Sequence, residues 1–213
     1  GLVTSVADGS ATITATSGSV NQTAAVSVAQ AAALVTLAPT SLSFTSFGDT
    51  TTLVPTVKDA VGNTMSGATV TWTTSNSSIA TVSSAGLVTS VADGSATITA
   101  TSGSVTGTAG ISVAQTASSV TLAPTSLSFA SVGDTTTLVP TVKDANNNTM
   151  SGATVTWATS NSSVATVSSA GLVTARADGS ATITATSGSA SATVTATVSQ
   201  AATSVTLSVL SLT

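Results

Sequence analysis

The chain has no cysteine, no histidine, no tyrosine and no glutamate, and among its 213 residues only three are basic and seven acidic. Each absence removes a class of chemistry. Without cysteine there are no disulfides and no thiolate metal sites. Without histidine, Ser-His-Asp and Cys-His nucleophile systems and imidazole metal centres are excluded. Lys58, Lys143 and Arg176 are the whole basic inventory, too few for a nucleic-acid surface. No apolar run reaches the roughly 18 residues that a membrane-spanning helix needs. Aromatic residues make up 2% of the chain, so any core must be built from aliphatic side chains.

What is abundant is hydroxyl and small aliphatic side chain. There are 38 serines and 46 threonines, beside a hydrophobic fraction of 41%. That fraction is too high for a disordered Ser/Thr linker. The formal charge of −4 is small for the length, so the surface is polar through hydroxyls and repels its own copies weakly.

The order of these residues repeats. Gly1-Leu2-Val3-Thr4 returns at Gly86 and again at Gly171, two steps of 85 residues. Trp72 and Trp157, Pro39 and Pro124, and Lys58 and Lys143 keep the same spacing. Aligning residues 33–117 with 118–202 leaves 66 of 85 positions identical. A period this long exceeds a solenoid unit and suits a complete small β domain in tandem. The expected organisation is the back part of a repeat at 1–32, complete repeats at 33–117 and 118–202, and the first strand of a following repeat at 203–213. This register points to a window onto a longer array, or to end segments completed by other material.

Within residues 33–117 the pattern predicts seven or eight short strands and no helix. Val35-Thr36-Leu37 and Ser41-Leu42-Ser43-Phe44 are extended runs. Leu53, Pro55 and Val57 share a parity over 50–58, with Pro55 hinting at an edge or a bulge. Val70 and Trp72 share a face. Residues 79–82 form a further strand. Residues 87–91 and 96–101 flank Asp93-Gly94, which predicts a hairpin. Ala109, Ile111 and Val113 alternate in the last strand. In the second copy they become Val194, Ala196 and Val198, so large and small trade places and core volume is roughly kept. The expected fold class is all-β, an antiparallel sandwich per repeat. Leu53, Leu138, Ile98, Ile183, Trp72 and Trp157 are expected in its core. The alternative for the tryptophans is an exposed sugar platform.

Val120-Thr121-Leu122, Ser126-Leu127-Ser128, Gly133-Asp134, Val155-Thr156-Trp157, Ser160-Asn161-Ser162-Ser163-Val164-Ala165-Thr166-Val167, Gly171-Leu172-Val173-Thr174 and the run from Gly179 to Ala185 together resemble the bacterial immunoglobulin-like domain, group 2. The resemblance implies tandem immunoglobulin-like sandwiches of the kind carried by bacterial surface proteins, adhesins and some phage virion proteins. It implies no catalytic residue. One departure lies at the C-terminus, where Pro124 is replaced by Val209.

Few residues invite a chemical reading. Asp59 and Asp144 open Asn-containing turns; a calcium site there would need six to eight oxygens, and the simpler reading is an Asx turn with a solvated Lys-Asp charge pair. Asn21, Asn76, Asn147 and Asn161 fit the N-glycosylation acceptor pattern. No metal, cofactor or catalytic residue is expected, and the chain is read as a non-enzyme. The expected role is structural: an extracellular stalk or filament, semi-rigid because its joins are short, with other copies of itself or the continuing chain as partners through end-to-end packing and completion of sandwiches between molecules. The second reading is an adhesin segment or phage-borne domain that binds carbohydrate or a host surface protein.

Overall fold

A computed structural model describes residues 1–202; the expected strand at 203–213 lies outside the described residues. Contacts divide the chain into two compact units. The first holds Gly1–Phe44 and Thr50–Val113, and the second holds Thr45–Asp49 together with residues 114–202. The five residues Thr45–Asp49 belong by sequence to the first complete copy, yet they pack as part of the second unit.

The first unit contains β1 (Gly9–Ser17), β2 (Val20–Val28), β3 (Leu34–Ala38), β4 (Ser41–Phe44), β5 (Thr50–Thr52), β6 (Val54–Lys58), β7 (Thr71–Thr74), β8 (Ala80–Val82), β9 (Leu87–Ser90), β10 (Gly94–Ser102) and β11 (Val105–Val113). The second contains β12 (Ser119–Ala123), β13 (Leu127–Phe129), β14 (Thr135–Thr137), β15 (Val139–Lys143), β16 (Thr156–Thr159), β17 (Ala165–Val167), β18 (Leu172–Ala175), β19 (Gly179–Ser187) and β20 (Ala190–Val198). No helix occurs among the described residues.

In each complete copy a four-stranded sheet, β4-β11-β10-β7 or β13-β20-β19-β16, accompanies a three-stranded sheet, β5-β9-β8 or β14-β18-β17, and a two-stranded one, β3-β6 or β12-β15. The central hairpin explains why alternation works. On β10, Ala96, Ile98 and Ala100 are buried, and on β11 so are Ala109, Ile111 and Val113. Ile98 lies opposite Ala109 and Ala96 opposite Ile111. In the second copy Ile183 faces Val194 and Ala181 faces Ala196, all four buried. The volume lost at 196 is regained at 194, as the substitution pattern predicts.

Leu53, Ile98, Leu138 and Ile183 are each at most 1% exposed. Trp72 and Trp157 are half-buried. They are not sealed in the core, because β7 and β16 are the edge strands of their sheets. Trp157 still packs against the core of the second unit. Its ring lies over Gly171, whose φ is +79°, and a Cβ there would sit 2.6 Å from the Leu138 carbonyl oxygen and 2.9 Å from Trp157 Cζ2.

Three local expectations need correcting. Asp93-Gly94 is not a hairpin turn. β9 pairs with β5 and β8, whereas β10 pairs with β11 and β7, so the dipeptide carries the chain from one sheet to the other. The hairpin closes instead at Gly103-Ser104, with Ser102 opposite Val105. The sheets are also not purely antiparallel, because β4 runs parallel to β11 and β13 parallel to β20. The bend at Pro39 moves the chain from the β3-β6 sheet to the edge of the four-stranded sheet, and Ala38-Pro39 and Ala123-Pro124 are cis peptides. Finally, the run 50–58 divides at Leu53 into β5 and β6. Pro55 faces Leu37 across a two-stranded sheet, on a strand whose other edge needs no amide donor.

Candidate functional site: an Asx turn that captures a loop

Asp144 follows the last residue of β15 and turns the chain through Asn146, Asn147 and Asn148. Its Oδ1 accepts the backbone N–H of Asn146 at 3.0 Å and of Asn148 at 2.9 Å. Oδ2 accepts the amide of Gln115 at 2.9 Å and that of Asn148 at 3.1 Å. The turn is tightened by Asn147, the one non-glycine residue at positive φ among the described residues, 64°. Asparagine tolerates that conformation, and the first copy has Gly62 there at φ 91°.

One more donor reaches Oδ2 from far along the chain. The Phe47 N–H donates to it at 3.0 Å, and the Phe47 carbonyl accepts from the side-chain amides of Asn146 at 3.0 Å and Asn148 at 2.8 Å. Both main-chain polar groups of Phe47 are thereby held. Asn146 Nδ2 also donates to Asp49 Oδ1 at 2.8 Å, Ala145 N–H to Ser46 Oγ at 3.3 Å, and Thr116 N–H to the Thr45 carbonyl at 2.9 Å. The loop is preformed for this, because Asp49 Oδ2 accepts the Ser46 N–H at 3.0 Å.

The electrostatic result is a buried anion with a full set of donors. Asp144 is 2% exposed and Ser46 1%. Burial pushes the Asp144 carboxyl up, but hydrogen bonds from Gln115, Asn148 and Phe47 outweigh it and hold the group at about 2. Asp144 is therefore neither solvated nor half of an ion pair with Lys143, and that part of the turn reading is corrected. The Asx turn itself is present. Its oxygens are taken up by N–H donors, so the arrangement recognises a peptide group and offers no oxygen cage for calcium. Among the described residues no group of three or more histidine, cysteine, aspartate or glutamate side chains gathers.

Asp59 forms the matching turn. Oδ1 accepts from the N–H of Val61 at 3.0 Å and of Asn63 at 2.8 Å, and Oδ2 from the amides of Gln30 at 3.0 Å and Asn63 at 3.1 Å. Burial raises this carboxyl, and the hydrogen bonds from Asn63, Gln30 and Val61 together outweigh it and bring the group below its ordinary range.

The glycosylation candidates are all exposed. Asn21 is on β2 near the hairpin tip, and Asn147 belongs to the capturing turn. Asn76 and Asn161 each accept an N–H two residues on, from Ser78 and Ser163, at 3.0 Å. Each copy also has an open groove, near 390 Å³, lined by Gln30, Met65, Ala68 and Gly103 in the first and by Gln115, Met150, Ala153 and Gly188 in the second. Neither the captured loop nor this groove was foreseen from sequence, since both join segments distant in the chain. The one available signal was the change from Val61-Gly62 to Asn146-Asn147 within otherwise near-identical copies.

No curated protein matches the chain. Among solved structures it is similar to surface layer protein SbsC, domains 1–6, at 24% identity and a TM-score of 0.40, covering 91% of this chain and 32% of that one. It is also similar to the Escherichia coli adhesin FdeC at 19% identity and a TM-score of 0.41, covering 90% and 74%. The Yersinia pseudotuberculosis adhesin InvE is similar at 17% identity and a TM-score of 0.38, covering 78% and 58%. The chain thus spans about a third of the SbsC chain it matches. The family model for the bacterial Ig-like domain (group 2) matches residues 31–113 and again 116–198, and this chain belongs to that family.

Proposed function

We propose that the chain is part of a non-catalytic bacterial surface protein, in which Ig-like repeats are strung in series as a stalk or extracellular filament. The observation that carries this reading is the capture of Thr45–Asp49, a loop of one copy, by the Asp144 turn of the next. Copies joined only by a flexible linker would have no use for a buried carboxylate there. Residues 114–118 separate β11 from β12, which leaves little slack in the connection. The inventory supports the same role. A protein without cysteine folds independently of redox state, and hydroxyl-rich surfaces suit a spacer that need not bind along its length. Other copies of this chain are its proposed partners.

Immunogold electron microscopy with antibody raised against the chain, on bacteria that produce it, tests the reading. Label along structures projecting from the cell is expected; label confined to the cytoplasm overturns it.

The groove repeated in each copy favours a second reading, adhesion to carbohydrate or a host surface protein. Saturable binding of the chain to a glycan array, lost in a Met65→Asp, Met150→Asp double variant, would support adhesion over a purely mechanical role.

A further inference from the structure

Two strands of the first complete copy run side by side to its exit. β4 and β11 are parallel, with Ser41–Phe44 opposite Gly110–Val113. The pairing extends past both ends of that ladder: the Gly110 N–H donates to the Thr40 carbonyl at 3.1 Å, and the Thr116 N–H to the Thr45 carbonyl at 2.9 Å. The chain comes to β4 from β3 and leaves the copy through β11. A pull along the chain therefore reaches the start of β4 and the end of β11, and it loads the bonds between them in shear.

Both exits end on one carboxylate oxygen. Phe47, three residues beyond β4, and Gln115, two residues beyond β11, donate to the same Oδ2 of Asp144, at 3.0 and 2.9 Å. Asn146 and Asn148 hold the Phe47 carbonyl, and Asn146 also holds Asp49. Asp144 and Ser46 are buried, so these bonds are made away from competing water.

We propose that the Asp144 turn is a mechanical lock on the first complete copy. β11 can slide past β4 only by drawing Gln115 away from Phe47, and that displacement is blocked while one carboxylate holds both. Shear must then break the buried bonds of the turn together with the ladder, instead of the ladder alone. The turn follows directly on β15, so the lock lasts only while the second copy stays folded, and the first copy is strengthened by its neighbour. The inference rests on the stalk reading, in which tension runs along the chain, and names the group that resists it.

Single-molecule force spectroscopy of the whole chain, held by its two ends at constant force, tests it. A short Gly-Ser insertion in the exposed turn at Ser66-Gly67 lengthens the first copy's unfolding step and so identifies it. The lifetime of the first copy under load should be roughly tenfold longer while the second copy is folded than after it has unfolded. That difference should fall by more than half in a Ser46→Ala, Asn146→Val double variant, which keeps the Asp144 carboxylate and gives the turn the residue found at position 61 of the first copy. Handles at Ser84→Cys and Ser104→Cys, two exposed positions in a chain without other cysteine, take the turn out of the path of the force; there the parent and the double variant should have equal lifetimes. A first copy that lasts equally long with its neighbour folded or unfolded overturns the proposal. So does a variant effect of the same size in both pulling geometries, since the turn would then only add stability. Label on surface structures together with either of these results would remove the lock and leave the stalk reading intact.

Discussion

Asp144 links three segments through one carboxylate, and its substitution should be expensive. Asp144→Ala strands the donors of Phe47, Asn146, Asn148 and Gln115, at a cost of about 3 kcal/mol; urea denaturation at neutral pH measures it. Asp59→Ala should cost distinctly less, because Asp59 is only half-buried. The same carboxylate sets the acid limit. Its folded pKa of about 2 lies below the ordinary value of 3.8, so its contribution is complete above about pH 4 and is lost as pH falls towards 2. That loss is of the order of 2 kcal/mol, and Asp144→Asn should flatten this part of the stability profile. Gly171→Ala combines a positive φ with an approach to the Leu138 carbonyl, and it should cost more than about 2 kcal/mol. None of this could be read from residue types. That Asp144 begins a turn is local information, but its burial depends on Phe47, 97 residues away.

At the scale of strands, β1, β10 and β19 have one sequence, Gly-Ser-Ala-Thr-Ile-Thr-Ala-Thr-Ser. Ile98 and Ile183 are fully buried, while Ile13 is 43% exposed. Burial is thus conferred by the partner strands. Ile98→Ala should cost about 3 kcal/mol and Ile13→Ala under about 1 kcal/mol, measured by thermal melts of the single variants. The exchange on the neighbouring strand makes a coupled test. Ile111→Ala alone opens a cavity, and adding Ala109→Val, which restores the arrangement of the second copy, should recover a good part of the loss. Strand positions and inward parity were legible because side chains alternate with period two. Pairing was less so. Asp93-Gly94 has hairpin chemistry, but β9 and β10 find partners in different sheets, and nothing local foretells that β4 lies parallel to β11.

For the whole molecule, trypsin has three targets, Lys58, Lys143 and Arg176. The two lysines end strands and are half-buried, and only Arg176 is exposed. Native chain should resist trypsin for hours, with the first slow cut at Arg176, and become sensitive to all three cuts once heated through its transition; gel electrophoresis of timed samples decides it. The tandem organisation was visible in the 85-residue spacing, but the packing of Thr45–Asp49 with the second unit was not. That assignment depends on which groups are left to bond at the end of a folded domain, and no periodicity records it.

Three interchangeable copies of one strand also pose a hazard whenever force or heat opens the chain, since each could zip onto a neighbour's mate. The two-residue turn at Gly103-Ser104, and its counterpart at Gly188-Ser189, joins each full-copy strand to its own mate across the shortest of loops. Short loops close within microseconds and at little entropic cost. Correct reassembly is thus won by speed, before the identical competitors arrive.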